Sequence, residues 1–280
     1  MTTLPIIFPH YADMPSQDID DLTRAVRLLE RSSLPARLAS VVGSPVEKLL
    51  ARLPNEANEA MRLAVHTALD YGMRAALLTL GRRDAGPTGW QWLDETLAHD
   101  WTAKAGVVVS GSAGGAAGLA GTVAELPITT ALILRSIAQI GLGEGEDVVS
   151  DEFKASCLSV LAMGGKSPAD DAAESGYYAV RVAVADALVQ AAGLSLMDLF
   201  PRIAIKIGQK FGSAATVKLS AQAVPIVGGL AGAAINLVFM DHFQDKARGH
   251  FVVRRLERAH GAEPVRACYG AIAASLNARS

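Results

Sequence analysis

Asp241, His242, Asp245 and His250 form the only tight cluster of ligand-type side chains in the chain. Asp241 and Asp245 stand one helical turn apart, a spacing that lets two carboxylates share a hard cation. Lys246 and Arg248 lie among them, and neither HExxH nor a three-ligand zinc spacing is present. The expectation is a solvated helix exit that holds no metal, with Asp245 and Arg248 as surface neighbours. Glu125 and Arg135 are a second candidate set, because they are the ionisable groups of an otherwise apolar stretch. Buried charge costs several kcal/mol unless it is paired, so each is expected to find a partner or reach water. As catalytic candidates, Glu125, Asp241, His242 and Asp245 point to hydrolysis of an unspecified substrate.

The remaining reactive types read as structural. His66 and Asp70, four residues apart, fit a polar helix patch. Ser110-Gly-Ser112-Ala-Gly-Gly has no following Gly-Lys-Ser or Gly-Lys-Thr and no strand before it, so it is not a phosphate loop. Cys157 sits on an apolar face with no histidine near it in sequence, as a core thiol does. No cofactor fingerprint is present, and none is expected to bind.

The elements that must position these groups are helices. Leu22, Val26 and Leu29 share one face from Asp18 to Ser32. Ser150 caps a helix over DEFKASCLSVLAMGG, and Tyr177, Val180, Val184 and Leu188 line the next. One long helix is expected from about Ile226 to Arg258, followed by a short one from Pro264 to Leu276. No window alternates with period two between turns, so the fold class is all-α, a multi-helix bundle with two glycine-rich apolar helices in its core. Residues 1–17 read as an extended arm and 18–280 as a single domain.

Those two glycine-rich runs dominate the composition. Residues 105–124 carry no charge and include Gly111, Gly115 and Gly118 at helical spacing, which leaves one helix face bare for close backbone approach. Residues 219–240 are a second uncharged run, with Gly228, Gly229 and Gly232. Pro127 and Arg135 interrupt the first, Pro225 and Asn236 the second, so buried core helices are favoured over a membrane-spanning pair. Half of the 280 residues are hydrophobic and the net charge is −2, a balance that gives no footprint for nucleic acid. The two cysteines lie far apart in apolar contexts, as in a reducing compartment, and no secretory signal opens the chain.

The order AELPITT…RSIAQ, GED, CLSVLAMGG, ESGYYAVR and then AVPIVGGLAGAAINLVFMDHFQDKARGHFVVRRLER resembles the EcsC protein family, over roughly residues 63–261. That bacterial family is named after a protein encoded beside an ABC transporter. The resemblance implies a helical domain of undetermined activity, with no catalytic residue or cofactor to carry over.

The basic residues Lys246, Arg248, Arg254, Arg255 and Arg258 follow the greasiest run directly. Apolar helix and then basic cluster is the order of a segment that dips into a bilayer and anchors on anionic headgroups, although helix C-termini carry a basic bias anyway. The functional expectation is a non-enzymatic helical protein, cytoplasmic or peripheral on the inner face of the cytoplasmic membrane, helping a membrane or transport process. Its expected partners are an anionic membrane surface or a membrane protein, with oligomers possible through the glycine faces. The alternatives are a hydrolase and a soluble carrier of a lipid or other hydrophobic ligand.

Overall fold

A computed structural model describes residues 14–30, 34, 37, 118–148, 150–163, 176–189 and 228–278. Six helices and no strands lie among them: α1 Ser16–Leu29, α2 Gly118–Gly143, α3 Asp151–Ala162, α4 Gly176–Val189, α5 Gly228–His260 and α6 Ala262–Asn277. The all-α expectation holds.

The hub is α5, whose 33 residues give it a length of about 50 Å at 1.5 Å per residue. From His242 to Phe251 only Asp245 and Arg248 escape burial, so this helix is covered on nearly every side. Its neighbours' directions follow from which residues meet. Thr129 with Asn236, Ser136 with Gln244 and Glu146 with Arg254 are separated by 107, 108 and 108 positions. A constant offset means that α2 and α5 run parallel and stay in register. Tyr177 with His250 and Arg181 with Glu257 make α4 parallel to α5 as well. Partners of α1 and α3 descend along α5 as their own numbers rise: Asp18 with His260 and Asp21 with Arg255, Glu152 with Arg254 and Phe153 with Phe251. Both helices are therefore antiparallel to it.

Local chemistry fixes the ends. Ser150 Oγ accepts from the Phe153 N–H at 3.1 Å, capping α3 as its sequence indicates. α2 closes with Gly145 at φ 78°, while the Glu146 N–H bonds back to Gly141 O and the Gly145 N–H to Leu142 O. That paired pattern is a Schellman cap, and only glycine adopts its left-handed residue without strain. Gly261, at φ 88°, turns the chain from α5 into α6.

The expected stripe Leu22, Val26 and Leu29 is fully used. It packs with Val253 and Leu256 of α5 and Val265, Tyr269 and Ile272 of α6. α3 is buried over every residue from Ala155 to Ala162, Cys157 included, so it is an interior helix. Two glycines allow the closest approaches. A Cβ on Gly249 would fall 2.6 Å from Leu29 Cγ and 3.0 Å from Ala25 O. A Cβ on Gly141 would fall 2.6 Å from the Phe153 ring and 2.8 Å from Phe251.

Candidate functional site

The parallel pair α2 and α5 gives the molecule two unlike ends. Along their shared interface Gln244 Nε2 donates to Ser136 Oγ at 2.9 Å, and Asn236 Nδ2 reaches Thr129 Oγ1 at 3.5 Å. All four side chains are buried, in the manner of hydroxyl and amide side chains that link apolar helices.

At the C-terminal end the Schellman cap aims Glu146 at α5. Arg254 Nε and Nη2 donate to its two carboxylate oxygens at 2.8 and 2.9 Å, and Arg258 Nη1 donates to one of them as well. The Glu146 side chain is only 4% exposed. Burial alone would raise its carboxyl, and the two arginines outweigh that, holding it below the usual carboxylate range. Arg255 pairs with Asp21 at 2.6 Å and Glu144 at 2.8 Å, and Arg254 also meets Glu152 at 3.0 Å. On the flank, Arg181 forms a two-pronged pair with Glu257 at 2.7 and 2.9 Å, and His260 meets Asp18 at 2.7 Å. Acidic groups from α1, α3 and the α2–α3 turn thus neutralise the end that the sequence presents as a run of cations.

Beside this belt lies a buried aromatic cluster. Tyr177 stacks on Tyr269 at 5.2 Å between ring centroids, and its hydroxyl lies 3.1 Å from His250 Nδ1. Burial pushes the Tyr177 phenol up and the His250 imidazole well down, with Arg181 and Arg254 adding to the histidine's shift. Both are neutral groups held in the core. Burial raises the Cys157 thiol in the same way, as for a thiol packed in the core.

The Asp241–His242–Asp245 group corrects an expectation. The chain does not leave the core there: His242 is 1% exposed. Burial, with the charges of Lys246 and Arg37, lowers its imidazole to about 3, against a small opposing effect from the Met163 backbone. Asp245 pairs with Arg37 at 2.8 Å and lies 3.8 Å from Arg248, a neighbour relation the sequence anticipates. The buried Lys246 ammonium donates to Leu29 O, at the last turn of α1. The misreading has a simple source. Charge pattern on one helix cannot reveal that the other described helices pack around it.

Arg135 lies in α2, 6% exposed, with its guanidinium depressed by burial. Glu125 falls within the α2 backbone, and its side chain is not among those described, so its relation to Arg135 is not placed. Gly118 is the first residue of α2; Gly111, Gly115, His66, Asp70, Ser110 and Ser112 lie outside the described residues. The close glycine contacts that are placed, Gly141 and Gly249, use the chemistry expected at those positions elsewhere in the chain. Sequence reasoning also missed Glu144, Glu146 and the Arg181–Glu257 pair. The signal for Glu144 and Glu146 was the acidic turn GEGED set against a basic helix end of opposite charge, whereas the Arg181–Glu257 pair, 76 positions apart, leaves no local signal.

The opposite end differs in kind. Between Gly118 and Leu134 the only ionisable residue is Glu125, and α5 carries none from Gly228 to Met240. Ile128 is exposed there at 56%. No helix among the described residues is long and apolar enough to cross a membrane. Among the described residues no three His, Cys, Asp or Glu side chains are grouped to hold a metal.

No curated protein and no solved structure matches the chain. The family model described as EcsC protein family matches residues 16–256, which takes in the α1 helix, the neutralised belt up to Leu256 and both apolar helices. By that match, the chain belongs to the EcsC protein family.

Proposed function

We propose that this chain is a non-enzymatic helical protein that works at the inner face of the cytoplasmic membrane and helps a membrane or transport process. The observation that supports the reading is the lengthwise polarity of the α2/α5 pair. Because the two helices run parallel at an offset of 107 to 108 residues, their uncharged N-terminal ends come out together, while the ion-pair belt collects at the other end. A protein of this build has one end suited to an apolar phase and one suited to water. Electrostatic attraction by Arg254, Arg255 and Arg258 contributes little to the membrane contact, since each already meets a carboxylate.

The test is fractionation of cells that express the chain, followed by high-salt and carbonate washes of the membranes. A membrane pool that withstands salt is the expected result. A pool found wholly in the cytosol would overturn the reading and favour the carrier.

A further inference from the structure

We propose that α4 is a proton-released strap: a proton taken up by His250 breaks its hydrogen bond with Tyr177 and lets α4 swing away while α1, α5 and α6 stay packed on one another. The device goes beyond the membrane reading and does not depend on it. Three observations carry it.

The first is anchorage. Among the described residues, the polar and ring contacts that tie α4 to α5 and α6 come from Tyr177, Tyr178 and Arg181, all within its first two turns. Beyond them the helix is thinly held: from Val182 to Asp186 only Val184 is buried, and Val182 is 55% exposed. By contrast α3 is buried at every residue from Ala155 to Ala162, and α1 buries its whole Leu22–Val26–Leu29 stripe. A helix with few buried apolar contacts opens at a lower free energy than its neighbours.

The second is the direction of one hydrogen bond. Tyr177 Oη lies 3.1 Å from His250 Nδ1 and accepts from Arg181 Nη1 at 3.3 Å. A guanidinium can only donate, so the phenol's single hydrogen is left for Nδ1, which must then be bare. The His250 hydrogen therefore sits on Nε2, which is buried without a hydrogen-bond partner. A second proton can go only to Nδ1, the atom that holds Tyr177, and there it meets the hydroxyl hydrogen head-on. Protonation thus acts on the clasp itself.

The third is charge. Around this junction stand Tyr177 and Arg181 of α4, Lys246, Arg254 and Glu257 of α5, Tyr269 of α6 and Glu146 of the α2–α3 turn. Burial opposes a charge on the imidazole most strongly, and Arg181 and Arg254 add to it. The Glu257 and Glu146 carboxylates are already held by those two arginines. The closed form therefore keeps His250 neutral, whereas the open form puts its imidazole in water with an ordinary value of about 6.5. Closure is fully present above that pH and weakens below it, by up to about tenfold per pH unit.

The experiment is hydrogen exchange of the full chain read by mass spectrometry at pH 7.5 and 5.5, corrected for the intrinsic rate. Peptides of α4 are expected to be less protected than those of α1 and α5 at both values, and to lose up to about tenfold in protection between them. In His250→Gln, whose amide oxygen can still accept from Tyr177, that loss in α4 should vanish. Should this variant fail to fold, Tyr177→Phe keeps the ring stack and removes only the hydroxyl, and its α4 should exchange several-fold faster than wild type at pH 7.5. Exchange of α4 in step with α1 and α5 at both values would overturn the strap. Equal protection of α4 at the two values, or a loss that survives in His250→Gln, would overturn the role of the His250 proton. Unchanged α4 exchange in Tyr177→Phe would overturn the clasp.

Discussion

Single residues in this chain act by the space and charge they leave to others. Gly249 is the clearest case, because α1 crosses α5 over it and both Leu29 Cγ and Ala25 O stand where a Cβ would go. Only one of these neighbours is a side chain, so the clash has no cheap release. Gly249→Ala is expected to destabilise the fold by about 1–3 kcal/mol through overpacking, read as a lowered denaturation midpoint. An unchanged midpoint would mean that α1 does not dock there. His242 acts through its proton. Its folded-state imidazole sits at about 3, below the unfolded value of about 6.5, so the unfolded chain binds the extra proton. Stability is then fully present above about pH 6.5 and is lost as pH falls toward 3, at up to roughly 1.4 kcal/mol per pH unit. Lys246, Arg37 and the Met163 backbone surround His242; Arg181, Arg254 and Tyr177 surround His250, which is shifted the same way and doubles the slope. Urea titrations between pH 6.5 and 5, above most carboxylate titration, should show that slope, and His242→Gln should roughly halve it. A flat profile in wild type would mean that both imidazoles are hydrated.

Elements show what sequence reveals and what it hides. α1, α3, α5 and α6 are legible because their signals are local: the Leu22–Val26–Leu29 stripe, the Ser150 cap, the absence of a breaker after Gly228, and the run from Pro264 to Leu276. Which helices meet, and in which direction, rests on contacts such as Glu146 with Arg254, 108 positions apart, that leave no local trace. The burial of His242 and Lys246 was hidden for the same reason, since a helix wrapped on nearly every side reads by its charges as a surface helix. The α2–α5 joint now carries its own test. Glu146→Leu leaves Arg254 and Arg258 without their buried partner, although Arg254 keeps the exposed Glu152. Loss of one member of a buried pair costs about 3–5 kcal/mol, and the remaining Glu152 contact places this variant at the lower end. A calorimetric melt that does not move would show that the cap loop is held by its backbone alone.

At the scale of the whole molecule the proposed membrane contact turns on which end would carry it, and the arginines are the test. The order of apolar helix and basic cluster makes Arg254, Arg255 and Arg258 look like headgroup ligands, each worth about 1 kcal/mol near an anionic surface. In the fold they are held by Glu146, Glu144, Glu152 and Asp21, so their field is largely cancelled where a lipid would sense it. Changing all three to Gln therefore separates two outcomes. If they are a structural belt, the triple variant strands the buried Glu146 carboxylate and lowers the melting temperature, while the fraction still folded at low temperature binds anionic vesicles as wild type does. If they are headgroup ligands, melting is spared and vesicle affinity falls by roughly 3 kcal/mol, more than a hundredfold. The carboxylates within 3.0 Å of each arginine favour the first outcome. Vesicle binding measured in low and high salt supplies a cross-check. Attachment through an uncharged helix end is nearly independent of salt, whereas an arginine anchor weakens as the Debye length shrinks.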